Sequence, residues 1–91
     1  MNKAYDKLMR EVCVGLGFCG TVIDGVPTKV EMYLPEQGPV RAEQFVDAVL
    51  RAEGWDPSSA TAQGYRRSIR NAFVKHMGSD EVDAGSLRQG I

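Results

Sequence analysis

The chain offers few residues able to do covalent or metal chemistry. It has one histidine, His76, and two cysteines, Cys13 and Cys19. A lone imidazole serves as a general base or metal ligand only with companions placed beside it. His76 falls in the apolar stripe of a predicted helix, near the C-terminal end, where positive charge is favoured. The expectation is a half-buried packing histidine. Cys13 and Cys19 match no common zinc spacing, and Cys13 sits beside Val12 on a predicted helical stripe. Both read as small core hydrophobes, and no metal or cofactor is expected. The stretch Gly15-Leu16-Gly17-Phe18-Cys19-Gly20 matches G-x-G-x-x-G, but a dinucleotide loop needs a strand before it and a helix after it. Here the predicted order is the reverse, and no phosphate-loop lysine follows. Asp80, Glu81 and Asp83 lack the ligand spacing and closing Glu of a calcium loop. They read instead as acids at the start of a short helix. No serine has an adjacent base. The sequence therefore points away from an enzyme.

Charge is more informative locally than in total. The chain holds 11 basic and 12 acidic residues, a formal net charge of −1. That balance argues against coating nucleic acid by charge alone. Residues 57–78, however, carry Arg66, Arg67, Arg70 and Lys75 and no acid. Arg67 and Arg70 project away from the apolar stripe of the predicted third helix, and Arg66 lies at its margin. Such a face meets solvent, an acidic protein or a nucleic-acid backbone. Glu43, Asp47 and Glu53 are available to balance it across the fold. Three apolar residues are expected at the surface: Tyr33 on the outer face of a strand, Val74 opposite the stripe of its helix, and Trp55 after a helix cap. With Arg66, Arg67, Arg70 and Lys75 they form the candidate partner-binding set.

The elements that would position these residues follow from periodicity. Tyr5, Leu8, Met9, Val12, Cys13 and Leu16 fall on one helical face, with Lys3, Asp6, Lys7, Arg10 and Glu11 opposite. Gly15 and Gly17 supply the stop. Thr21-Val22-Ile23 and Val26 onward flank Asp24-Gly25, a two-residue turn of the type I′ class. Val30, Met32 and Leu34 alternate with Lys29, Glu31 and Tyr33, which predicts a second strand with the first set inward. No third strand is evident. After the turn-rich 35–39 segment, Ala42, Phe45, Val46, Val49 and Leu50 predict a second helix, stopped at Gly54. Asp56 to Ser59 offer N-caps for a third helix over 61–77. Its stripe is Tyr65, Ile69, Ala72, Phe73 and His76 or Met77, and Gly78 ends it. Ser79 caps a short turn through Val82, Leu87 returns to the core, and residues 88–91 fray. The second and third helices resemble a helix-turn-helix only weakly, because the Gly54–Ser59 connection is too long.

The expected fold is α+β: three amphipathic helices plus a two-stranded antiparallel hairpin, ordered α-β-β-α-α, with a short C-terminal helical turn. The length of 91 residues fits one small domain, and no apolar run approaches a bilayer span. The polar N-terminus and the two cysteines suit a cytosolic protein with reduced thiols. An open hairpin edge also invites a two-fold homodimer as an alternative to a monomer.

Residues 45–54, Phe-Val-Asp-Ala-Val-Leu-Arg-Ala-Glu-Gly, and 72–80, Ala-Phe-Val-Lys-His-Met-Gly-Ser-Asp, resemble a pattern in small uncharacterised bacterial proteins of similar length. The resemblance implies a bacterial origin and carries no activity, cofactor or site. The functional expectation is a non-enzymatic protein–protein interaction module, of the kind used by immunity proteins, antitoxins and small regulators. The alternative is a weak nucleic-acid binder using the basic third helix.

Overall fold

A computed structural model describes residues 3–18 and 28–88. Helix α1 (Lys3–Arg10) runs into a π-helical turn, Glu11–Gly15, and α2 is the single turn Thr28–Glu31. Strand β1 (Pro39–Arg41) leads directly into α3 (Ala42–Ala52), α4 (Ala60–Met77) follows, and β2 (Glu81–Asp83) leads into α5 (Ala84–Arg88). The helices and a two-stranded antiparallel sheet surround one hydrophobic core. Its largest fully buried side chains include Tyr5, Leu8, Phe45, Leu50, Ile69 and Phe73. Phe45 stands between Tyr5 and Phe73, at ring-centroid distances of 6.5 and 5.1 Å, and so links α3 to both α1 and α4.

The expected stripe of the first helix holds through Tyr5, Leu8, Met9 and Val12, all buried, and then drifts. Within the π turn the Leu16 amide donates to the Glu11 carbonyl, and the Phe18 amide reaches back to Val12. The wider turn admits an extra residue and shifts every later side chain around the axis. Cys13 and Leu16 therefore end half-buried, Val14 points to solvent, and Phe18 enters the core. Gly17, at φ +83°, makes the left-handed step that turns the chain back for that contact.

Two features of the expected hairpin are corrected. The second strand does not form, since Thr28–Glu31 is helical and the amides of Tyr33 and Leu34 donate to the carbonyls of Val30 and Glu31. Val30 and Leu34 are buried while Met32 is exposed. A spacing of four serves one helical face as well as one strand face, and Val30 and Leu34 use it as a helix does. The first strand, the Asp24-Gly25 turn and Cys19 lie outside the described residues. The sheet instead joins segments far apart in sequence, with Pro39 opposite Asp83, Val40 opposite Val82 and Arg41 opposite Glu81. Residues 81–82, expected in a helical turn, form its second strand; α5 begins only at Ala84, with Leu87 buried as expected. Helix α5 extends to Arg88, and residues 89–91 lie outside the described residues. Among the described residues the order is thus helix, helix, strand, helix, helix, strand, helix.

The helix ends follow the sequence closely. The Arg41 amide donates to Gln44 Oε1 at 2.8 Å at the start of α3. Gly54 (φ +84°) closes α3: its amide donates to Arg51 and that of Trp55 to Leu50, the paired bonds of a Schellman end. Ser59 caps α4 by accepting from the Ala62 amide at 3.1 Å.

Candidate interaction surface

The four cations of α4 separate into three situations. Arg66 is the most enclosed, with its side chain 21% exposed. Its Nη1 donates to Asp47 Oδ1 at 2.7 Å and to the Pro57 carbonyl at 3.3 Å, and its Nη2 donates to Glu43 Oε2 at 2.9 Å. The Asp47 hydrogen bond, reinforced by Glu43, pushes the guanidinium further above its ordinary range. Arg70 binds the other oxygen of the same carboxylate, Nε to Glu43 Oε1 at 3.2 Å. Glu43 and Asp47 are four apart on α3 and face α4, so two acids hold two arginines between the helices. Lys75 is drawn to the opposite partner, with Nζ 3.1 Å from Glu11 Oε1. Arg67 is exposed and makes no ion pair among the described residues. The basic face of the sequence is therefore largely neutralised from within, and Glu53 takes no part in that balance among the described ion pairs.

His76 has a partner that no local pattern announces. Its Nε2 lies 2.8 Å from Glu11 Oε1, the oxygen that also meets Lys75. The imidazole is mostly buried in the last turn of α4, and Glu11 is the first residue of the π turn. Hydrogen bonds from His76 and then Lys75 hold the Glu11 carboxyl below the usual carboxylate range. This arrangement ties α1 to α4. Among the described residues no three metal-ligating side chains converge.

The apolar candidates are dispersed. Trp55 is half-buried in a three-ring cluster, with its centroid 5.7 Å from Phe18 and 5.2 Å from Tyr65, and Phe18 lies 5.3 Å from Tyr65. All three contacts are edge-to-face, the arrangement that ring quadrupoles favour. Tyr65 leaves the stripe expected of it and stands at the surface edge of this cluster. Val74 is half-buried rather than solvent-facing. Tyr33 is exposed, as expected of it, but from the turn after α2 and not from a strand.

Among the described residues, the most exposed large apolar side chains are ones absent from the expected partner-binding set. Val14 is 78% and Met32 76% exposed. Met32 was expected inward, and the helical turn at α2 reverses it. A shallow groove of about 300 Å³ lies where β1 enters α3, lined by Arg41, Ala42, Glu43, Arg70, Asp80 and Glu81. Its charges are of both signs and several are already paired, as in Arg41 with Glu81 and Arg70 with Glu43. No described helix is long and apolar enough to cross a membrane. Comparison with family models, curated proteins and solved structures finds no match to the chain.

Proposed function

We propose that the chain is a non-enzymatic binding module whose partner is another protein. The observation that carries this reading is the adjacent pair Met32 and Tyr33. Both stand at the surface, between Val30 and Leu34, which are buried and fix the turn to the core. Methionine adapts its shape and tyrosine offers a rigid ring with a polar tip, a combination suited to a partner's side chains. The nucleic-acid alternative draws less support, because Arg66, Arg70 and Lys75 already answer to Glu43, Asp47 and Glu11. Arg67 alone offers weak, salt-sensitive phosphate binding. A cytosolic setting belongs to the same reading, supported by a sequence with two cysteines, too few for the disulfide framework of a small secreted scaffold.

The test is affinity capture from bacterial lysate at low and moderate salt, with the wild-type chain and the Met32→Glu/Tyr33→Ala variant side by side. One protein retained by the wild type at moderate salt, and lost by the variant, is the expected result. Nucleic acid that elutes as salt rises, and is lost with Arg67→Ala, would replace the protein partner with the alternative.

A further inference from the structure

The small sheet, two-stranded among the described residues, carries at its edges groups that oppose further pairing, and they act independently of whatever partner the chain binds. The Ala42 amide donates to the Asp80 carbonyl and the Ala84 amide to the Gly38 carbonyl, both at 2.8 Å. Antiparallel ladders alternate, so with Val40 opposite Val82 the bonds between the strands fall on residues 38, 40 and 42 of one side and 80, 82 and 84 of the other. The main-chain groups of Pro39 and Arg41 then face the outer edge of β1, and those of Glu81 and Asp83 the outer edge of β2.

Each outward donor on β1 is missing or occupied. Pro39 has no amide hydrogen. The Arg41 amide is taken by Gln44 Oε1, which reaches back from the first turn of α3. A two-fold pairing of β1 with β1 of a second copy, centred on Val40, requires the amides of residues 39 and 41 from both chains, and none is available. On β2 the Glu81 amide donates to Ser79 Oγ at 3.2 Å. A two-fold β2 pairing centred on Val82 sets Glu81 opposite Asp83 of the other copy twice, and like charges across a strand pair repel. A mixed β1–β2 contact keeps only the Asp83 amide as an outward donor, one bond of a ladder.

We infer that Pro39, the Gln44 cap and the Glu81/Asp83 pair are edge guards, and that the chain does not associate by strand addition to this sheet. Two-stranded sheets ordinarily present two open edges, which makes such guards a requirement for staying apart.

Two measurements test the inference. Amide hydrogen exchange at Arg41 should be slow in the wild type and in Gln44→Glu, which keeps an acceptor. In Gln44→Ala it should quicken about five- to tenfold, the loss of one cap bond. In the second measurement, sedimentation at rising concentration should show self-association of Pro39→Val/Gln44→Ala beyond that of the wild type. Circular dichroism and Trp55 fluorescence verify its fold. Unchanged Arg41 exchange in Gln44→Ala, or a folded double variant that associates no more than the wild type, overturns the inference.

Discussion

Arg66 is the clearest place to test how α3 and α4 are joined. Removing its head group breaks two ion pairs and a bond to the Pro57 carbonyl. The guanidinium is mostly enclosed, but Glu43 and Asp47 are 57% and 44% exposed, so water screens the acids. Each pair is therefore set near the exposed-pair value of about 0.5 kcal/mol rather than a buried one. The Pro57 bond adds about 0.5 kcal/mol, at the low end for a hydrogen bond of that length. Arg66→Met, which keeps an apolar stem, should thus destabilise the chain by about 1.5 kcal/mol, a fall in melting temperature of roughly 6–12 °C for a domain this size. Arg66→Lys retains one charge contact without the two-pronged geometry and should fall midway. Urea titration followed by Trp55 fluorescence and far-ultraviolet circular dichroism gives the free energies. A double-mutant cycle with Asp47→Asn isolates the shorter pair. If Arg66→Met unfolds within about 0.3 kcal/mol of the wild type at low salt, the ion pairs do not join the helices and the reasoning fails.

Two further outcomes follow from the geometry. Glu11 is held below its ordinary range by His76 and Lys75, so its stabilising contribution is present above the unfolded carboxylate pKa and disappears as pH falls through the lower folded value. Glu11→Gln should cost about 0.5–1 kcal/mol near neutrality, with the gap to the wild type closing in acid; a gap that stays constant between pH 7 and pH 3 in urea titrations contradicts the assignment. Gly54→Ala meets no atom within 4 Å of the new Cβ, so its cost is purely that of a positive φ, about 1 kcal/mol, read as a lower urea midpoint at unchanged slope.

What could be read from the sequence was whatever one stretch of chain decides. The face of α3, the Ile69, Ala72 and Phe73 part of the α4 face, the Schellman end at Gly54 and the cap at Ser59 depend on neighbours a few positions apart, and each is visible in residue types. The π turn is not, since a single extra residue leaves the pattern of Tyr5 to Leu16 intact on paper while rotating Cys13, Leu16 and Phe18 in space. The run Val30 to Leu34 was misassigned because an apolar spacing of four satisfies two periods at once. The sheet was missed for a different reason. Three-residue strands carry almost no periodic signal, and β1 and β2 each exist only because the other is there. The same holds for the surface. Glu43 and Asp47 were legible as balancing charges for Arg66 and Arg70, whereas Glu11 meets His76 only through the docking of α1 on α4.

The sheet also sets an order of events during folding. Residues 39–41 and 81–83 are separated along the chain by the whole of α3 and α4. Closing so long a loop for three residues of ladder is unfavourable until the two helices have turned back on each other. Strand pairing therefore belongs late on the folding path, after Phe45 and Phe73 have met. Bonds made after the rate-limiting barrier act on the rate of unfolding and leave the rate of folding almost untouched. The sheet thus works as a clasp that sets how long the folded chain persists rather than how quickly it forms.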